Sequence, residues 1–259
     1  MSAAADAPIA ERPAPAPLVD PSRPEILALR SVTKLYGGIR ALNGLSLSIA
    51  EGEVHCILGP NGAGKSTFFK MLMGTERPTS GEVIYKGADV TRVQAFRRAR
   101  MGISVKFQNM RVLGDLTVFQ NLFIPLCRIH GRDAIPARVD SLLALVGLRG
   151  TGDRLVRHLS HGQQQWLAIA MSIAAEPDLL LLDEPTAGLS SEETERTAEI
   201  IREVNRDGMT VIVIEHDMAF IESLDARTSV LHLGRLFAQG TFAEVAANED
   251  VKRIYLGTM

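Results

Sequence analysis

Short apolar runs separated by turns occupy the first third of the chain and return after residue 175. Residues Ile26 to Tyr36 and Leu45 to Ile49 alternate apolar and polar positions, which predicts half-buried strands. Three other runs are continuously apolar: Val54 to Leu58, Leu179 to Leu182, and Thr210 to Ile214. Such runs are typical of strands covered on both faces, so they predict the centre of a parallel sheet.

The middle of the chain, from about residue 90 to residue 175, is predicted to be mainly helical. Thr117 and Ser160 are each followed three residues later by Gln, and this capping-box pattern predicts that a helix begins after each of them. A helix rich in Glu and Arg is predicted over Ser191 to Asn205, between two of the apolar strands. The order strand, helix, strand indicates an α/β core with an inserted helical lobe.

Composition separates an N-terminal segment from the rest. Residues 1–24 are rich in Ala and Pro and lack the basic and apolar regions of a signal peptide, so they are predicted to be a disordered leader. Residues 25–259 are predicted to form one domain. Lys and Arg number 28 against 30 Asp and Glu, a net charge of −2 that gives no electrostatic reason to expect nucleic-acid binding.

Cysteine content and hydropathy bear on the compartment. Cys56 and Cys127 are too few for a disulfide framework or a metal cluster. No run approaches the roughly 18 apolar residues that a membrane-spanning helix needs. The sequence therefore predicts a reduced, cytoplasmic protein.

A glycine-rich loop predicts phosphate binding. Its pattern is G-x-x-x-x-G-K-[ST], and its members are Gly59, Pro60, Asn61, Gly62, Ala63, Gly64, Lys65 and Ser66, followed by Thr67. Glycines let successive N–H groups point at phosphate oxygens, and the helix predicted over Lys65 to Met73 adds the positive end of its dipole. Lys65 supplies a charge for the β- and γ-phosphates, and Ser66 offers a hydroxyl to Mg²⁺. The loop predicts a nucleoside triphosphate site.

Two carboxylates follow the apolar strand that begins at Leu179. Because neighbouring strand residues point to opposite faces, Asp183 and Glu184 are predicted to have different roles. Asp183 is assigned to Mg²⁺, directly or through water. Glu184 is assigned to the water that attacks the γ-phosphate.

One further stretch, Leu159-Ser160-His161-Gly162-Gln163, completes a set of motifs. With the phosphate loop, the strand ending in Asp183 and Glu184, and His216, it resembles the ATP-binding subunits of ABC transporters over about residues 26 to 259. The resemblance implies a P-loop NTPase fold of the ABC type: an α/β RecA-like core, an antiparallel β subdomain and an inserted α-helical lobe. It also implies ATP and Mg²⁺ as cofactors and ATP hydrolysis as the reaction.

The resemblance assigns roles to further residues. Tyr36 matches the aromatic residue that stacks on adenine, although a packing role on a strand face is the alternative. Gln108 matches the glutamine that reaches Mg²⁺ and the attacking water, and His216 matches the histidine that contacts the γ-phosphate. Ser160, Gly162 and Gln163 belong to the signature motif, which completes the ATP site of a second subunit. The implied assembly is a head-to-tail dimer with two ATP molecules between the subunits.

Two positions depart from the family pattern. His161 stands where the signature usually has its first glycine, and it adds bulk and a titratable group. Ser190 stands where many members carry an aspartate, in the loop that follows Glu184.

Finer resemblance points to one branch of the family. The signature followed by Trp166, the Glu-rich run after Ser191 and the ending Ile254-Tyr255-Leu256-Gly257 are similar to the ATPases of hydrophobic amino-acid uptake systems, including branched-chain amino acid and urea or short-chain amide importers. The implied partners are a second ATP-binding subunit, membrane permease subunits that hold the chain at the inner face of the membrane, and indirectly a solute-binding protein. An efflux ATPase or a soluble, non-transport ABC ATPase is the alternative.

Overall fold

The computed structural model describes residues 22–109 and 112–256. The leader predicted over residues 1–24 lies outside these ranges except for its last three residues. The chain divides into two compact units, one formed by residues up to 98 together with those from 216 onward, the other by residues 99–215. Each unit is described in turn.

Among the described residues of the first unit, the strands fall into two groups and five helices begin. Its strands are β1 (Glu25–Tyr36), β2 (Ile39–Ala50), β3 (Val54–Leu58), β4 (Ser80–Tyr85), β5 (Ala88–Asp89), β9 (Arg227–His232) and β10 (Arg235–Thr241). Its helices are α1 (Lys65–Met73), α2 (Ala95–Arg100), α7 (Met218–Ser223), α8 (Phe242–Ala247) and α9 (Glu249–Leu256).

The strands of the first unit form an antiparallel sheet and a separate parallel pairing. The antiparallel sheet has the order β2-β1-β4-β5. Strand β3 pairs in parallel with β9, and β9 pairs in antiparallel fashion with β10. The parallel pairing matters for function because the phosphate loop leaves the carboxyl end of β3.

The second unit is built on three parallel strands. It contains β6 (Ile103–Lys106), β7 (Leu179–Asp183), β8 (Thr210–Ile214), α3 (Val118–Leu126), α4 (Ile135–Leu145), α5 (His161–Ile173) and α6 (Ser191–Arg206). Strand β7 lies between β6 and β8, and all four residues of its Leu179–Leu182 run are buried. A central strand covered on both faces explains why this run is continuously apolar.

Most of the predicted elements are confirmed. The helix after the phosphate loop covers Lys65–Met73 as predicted, and the helices predicted after Thr117 and Ser160 begin there with complete capping boxes. The predicted helix from Ser191 ends one residue later than expected, at Arg206. Strand β6 lies within the segment that the sequence predicts to be mainly helical.

The predicted half-burial of the first two strands is wrong over part of their length. All four residues from Ile26 to Leu29 are buried, and so are all four from Leu47 to Ala50. Consecutive side chains in a strand point to opposite faces, so four buried residues in a row mean that both faces of these stretches are covered. Alternation in the sequence therefore marks these strands correctly but not how deeply they are covered.

Within residues 22–109 and 112–256, no helix has both the length and the apolar character required to cross a bilayer.

Candidate nucleotide-binding and hydrolysis site

The phosphate loop joins β3 to α1 in the first unit, and two of its glycines cannot carry a side chain. A Cβ on Gly59 would lie 2.9 Å from the Cβ of Ala63 and against the carbonyl oxygen of Leu231. A Cβ on Gly64 would lie 2.6 Å from the carbonyl oxygen of Ala41. Both residues also have positive φ, 153° and 103°. The motif's glycines are thus required by the backbone path as well as by room for a phosphate.

The side chain of Lys65 folds back onto the start of the phosphate loop. Its Nζ donates to the carbonyl oxygens of Gly59 and Pro60, at 2.5 and 3.1 Å. Helix α1 starts at Lys65 with Gly64 as its N-cap and without a side-chain cap. An ammonium held over the N-terminus of a helix, beside glycines that admit close approach, is a cradle whose shape and charge fit a polyphosphate.

Other predicted nucleotide ligands also lie in the first unit. Asn61, Gly62 and Ser66 are exposed, and Thr67 is half-buried. Tyr36, at the end of β1, is 38% exposed, and the Nζ of Lys34 lies 4.8 Å from its ring centroid. An exposed aromatic ring suits stacking on a base. His216 is exposed in the turn before α7.

In the second unit the structure brings Gln108 and Glu184 together. Gln108 follows β6, Glu184 follows β7, and the Nε2 of Gln108 donates to the Oε2 of Glu184 at 2.6 Å. Strand β7 ends at Asp183, and Glu184 has a left-handed backbone with a φ of 45°. The direction of the Glu184 side chain is therefore set by a turn and not, as the sequence suggested, by alternation along the strand.

Two buried charges beside this pair were missed by the sequence analysis. Lys106 is 2% exposed, and its Nζ donates to the carbonyl oxygens of Asp183 and Glu184 at 3.4 and 3.2 Å. Glu215 is 1% exposed and accepts from the backbone N–H of Thr186 at 3.0 Å and from its hydroxyl at 2.6 Å. Burial lowers the pKa of Lys106 to about 8, against the opposing effect of three carboxylates, those of Asp183, Glu215 and Glu184. The sequence gives no signal that a single Lys or Glu near the end of a strand is buried, because most Lys and Glu residues in proteins are exposed.

The signature residues lie at the start of α5. The Oγ of Ser160 accepts from the N–H of Gln163, and the Gln163 side chain accepts in return from the N–H of Ser160. Gly162 faces the carboxyl group of Glu193, so that an added Cβ would lie 2.5 Å from the Cδ of Glu193. Glycine is therefore the residue that lets α5 approach α6 here.

The two departures from the family pattern have defined contacts. His161 Nε2 lies 3.1 Å from the carbonyl oxygen of Ala187, so the signature is tied to the loop that follows Glu184. Ser190 is the N-cap of α6, with its Oγ accepting from the N–H of Glu193. Serine performs the capping that an aspartate would perform at this position.

The predicted Mg²⁺ ligands all offer oxygen. Ser66 provides a hydroxyl, Asp183 a carboxylate and Gln108 an amide oxygen, whereas the amide nitrogen of Gln108 is engaged by Glu184. Hydroxyl, carboxylate and amide oxygens are the donors that Mg²⁺ prefers. The residues present therefore fit this ion in their chemistry.

Comparison with known proteins agrees with this set of motifs. Residues 42–187 match the family model described as ABC transporter. The chain therefore belongs to the ABC transporter family. As an ATP-binding subunit of that family it is an ATPase coupled to transport.

Two curated relatives and one solved structure illustrate the similarity. The methionine import ATP-binding protein MetN of Geobacillus kaustophilus is 39% identical over 232 residues, which cover 86% of this chain and 68% of MetN. The high-affinity branched-chain amino acid transport ATP-binding protein LivG of Salmonella typhimurium is 34% identical over 250 residues, 90% of this chain and 98% of LivG. The ATP-binding cassette MJ0796, solved as a dimer in a post-hydrolysis state bound to ADP and Pi, is 29% identical with a TM-score of 0.75, covering 83% of this chain and 98% of that structure.

Proposed function

We propose that this chain is the ATP-hydrolysing motor of an amino-acid importer, of the type that takes up branched-chain amino acids or urea and short-chain amides. The observation that carries the proposal is the match to LivG, which extends over 98% of that relative. MetN, also an import ATPase by its name, is matched over 68% of its length. Neither relative's name supports efflux.

The phosphate loop is the proposed site for the β- and γ-phosphates of ATP. The N–H groups of residues Gly59 to Thr67 and the Lys65 ammonium bind them, and Tyr36 stacks on adenine. In the free protein Lys65 donates to Gly59 and Pro60. Binding of ATP exchanges these carbonyl acceptors for charged phosphate oxygens, which are stronger partners for an ammonium.

Hydrolysis uses the pair of residues after β6 and β7. Glu184 accepts a proton from the attacking water while the oxygen of that water bonds to the γ-phosphorus and the bond to the leaving ADP oxygen breaks. Gln108 orients Glu184 through the 2.6 Å hydrogen bond. Lys65 and His216 stabilise negative charge on the phosphoryl oxygens. Ser66, Gln108 and Asp183 would hold Mg²⁺, which would supply further neutralisation of that charge.

A second ATP-binding subunit is the first proposed partner. The start of α5 presents the N–H groups and the Ser160 hydroxyl of a helix N-terminus, beside Gly162, which leaves room for close approach. The dimeric form of MJ0796 supports a paired arrangement for a chain of this fold. The second subunit is a copy of this chain or a related ATPase.

The second proposed partner is a membrane permease, which contacts the second unit. That unit has an apolar groove of about 320 Å³ whose lining includes Phe107, Pro125, Arg128 and Met171. Ile124 and Ile129, outside the groove on the same unit, are 48% and 42% exposed. Phe107 adjoins Gln108 in sequence, so the groove lies beside the hydrolytic pair. Through this partner the chain would be held at the inner face of the membrane, near a solute-binding protein on the other side.

The proposal is tested by purifying the tagged full-length chain from gently solubilised native membranes and identifying its partners by mass spectrometry. We expect multi-span permease subunits and a second ATP-binding subunit. Ile124→Glu should lose the permease, whereas Ile39→Glu, at an apolar side chain 72% exposed on the first unit, should retain it. Recovery from the soluble fraction alone would contradict the transport role. Uptake of labelled leucine, methionine and urea by cells lacking the gene then identifies the substrate.

A further inference from the structure

A lysine buried inside a sheet needs a physical explanation. Lys106 is the last residue of β6 and is paired with Leu182 of β7, in a position where an apolar side chain would pack at no electrostatic cost. Removing an ammonium from water is unfavourable unless protein groups replace the lost hydration. The two carbonyl oxygens that Lys106 reaches, those of Asp183 and Glu184, belong to the turn that carries the predicted catalytic carboxylate.

That turn has an unfavourable backbone. The φ of Glu184 is 45°, in the left-handed region that is unfavourable for a residue with a Cβ. Its N–H remains in the sheet, donating to the carbonyl oxygen of Ile214 at 2.9 Å, while its carbonyl oxygen accepts from Lys106. The hydrogen bond from the Lys106 ammonium to the Glu184 carbonyl oxygen therefore stabilises the strained turn at the group that does not pair with β8.

The other end of the turn is fixed by an opposite charge. Glu215, at the end of β8, accepts two hydrogen bonds from Thr186. Lys106 and Glu215 attract each other across this part of the unit, as do Lys106 and the carboxylates of Asp183 and Glu184. Lys106, at the end of β6, and Glu215, just after β8, thus fix residues 183–186 through hydrogen bonds. In this arrangement the Oε2 of Glu184 accepts a hydrogen bond from Gln108.

We propose that Lys106 is a positioning residue for Glu184, holding the left-handed turn after β7 so that the Glu184 carboxylate meets Gln108. This inference rests on the proposed role of Glu184 as the group that accepts the proton of water. It predicts that Lys106 acts on turnover and not on ATP affinity, because the phosphate loop makes its own contacts in the first unit.

The test compares Lys106→Met and Lys106→Arg with the wild-type full-length chain. We measure ATP affinity with a fluorescent nucleotide, kcat per nucleotide-binding site by phosphate release, and the melting temperature. Lys106→Met should lower kcat by about 10- to 100-fold, the effect of a displaced catalytic group, with the Kd for ATP changed by less than about threefold. Lys106→Arg keeps the charge and should recover part of the lost kcat.

A second buried cation provides the matched control. Arg98 is 1% exposed and donates to the carbonyl oxygens of Met71 and Leu72 at 2.6 and 2.9 Å, at the end of α1 opposite to the phosphate loop. Arg98→Met should lower the melting temperature but leave kcat per binding site within about threefold. An equal loss of kcat in both variants would assign Lys106 a general structural role.

Two other results would overturn the inference. A wild-type kcat per site in Lys106→Met would mean that the turn holds without the ammonium. Should Lys106→Met fail to fold, Lys106→Gln replaces it, and equal kcat in the Gln and Arg variants would exclude a role for the charge. A Glu184→Gln variant is measured in parallel. Normal turnover in this variant would contradict the proposed role of Glu184. Lost turnover in Glu184→Gln together with normal turnover in Lys106→Met would contradict only the role of Lys106.

Discussion

Gln108 donates a hydrogen bond from its Nε2 to the Oε2 of Glu184 over 2.6 Å, although the two residues are 76 positions apart. Glu184 directly follows β7, Gln108 lies two residues after the end of β6, and these strands run parallel. Parallel strands deliver their carboxyl ends to one edge of a sheet, so the topology itself pairs the amide with the carboxylate. The bond also orients the amide, since it leaves the oxygen of Gln108 as the atom that can bind a cation.

Glu184→Gln should keep ATP binding and lose turnover. The substituted amide has nearly the same shape but cannot accept a proton at neutral pH, and general-base catalysis contributes about 10²- to 10⁴-fold. We expect a drop of that size in kcat, measured by phosphate release, with little change in the Kd for ATP.

The exposed Glu192 provides a control in the same unit. Glu192→Gln removes one carboxylate from the first turn of α6 and should leave kcat unchanged. Normal turnover in Glu184→Gln would remove the base assignment.

Lys65→Ala should abolish measurable ATP binding. Lys65 is the ammonium that spans the phosphate loop by donating to Gly59 and Pro60, and its loss removes both that closure and the charge facing the triphosphate. Equilibrium binding of a fluorescent ATP analogue measures the effect. Lys70→Ala, at an exposed position on the same helix, should bind as the wild type does. Binding that survives in Lys65→Ala would place the phosphates elsewhere.

Sequence patterns predict the elements of this protein well where the signal is local. The helix at Lys65–Met73 and the capping boxes at Thr117 and Ser160 depend on neighbours three or four residues away, and the structure confirms them. The continuous apolar run before Asp183 identifies a central strand for the same reason.

Contacts between distant parts of the chain could not be predicted in this way. The depth of β1 depends on what packs against both of its faces, and the contacts of buried Lys106 involve a turn 77 positions away. The contact of His161 with Ala187 likewise joins two loops that only the fold brings together. Residue identity gives the chemistry of such positions, but the tertiary structure decides which groups meet.

Gly162→Ala, in the signature helix α5, should weaken the start of the neighbouring helix α6. The new Cβ would meet the carboxyl group of Glu193, whose Oε2 accepts from the N–H of Ser190 in the capping box of α6. Displacing that carboxylate should cost about 1 kcal/mol of unfolding free energy, the usual value of a helix cap. Urea denaturation measures it.

Gly131→Ala is the control for this substitution, because within residues 22–109 and 112–256 no atom beyond its chain neighbours lies within 4 Å of the added Cβ, and its φ is −67°. Its unfolding free energy should match the wild type or rise slightly. If both variants lose the same amount, contact with Glu193 is not the cause.

His232 should make the stability of the fold depend on pH below neutrality. It ends β9 with its ring edge-on to Phe237, and among the described residues no group forms a hydrogen bond with its buried Nδ1. Burial lowers the pKa of His232 below its usual value. As the pH falls through about 6.5, the unfolded chain takes up the proton before the folded chain does, so the stabilisation present above that pH is progressively lost.

His232→Phe removes the group that takes up this proton. Between pH 7.5 and pH 5.5 the variant should therefore lose less unfolding free energy than the wild type. These pH values lie about one unit on either side of an ordinary histidine pKa. Urea denaturation at both pH values gives the difference. His158→Gln, at an exposed histidine, should keep the pH dependence of the wild type. If His232→Phe and the wild type lose the same free energy, the folded protein binds a proton at His232 as readily as the unfolded chain, and the buried ring is not the source of acid sensitivity.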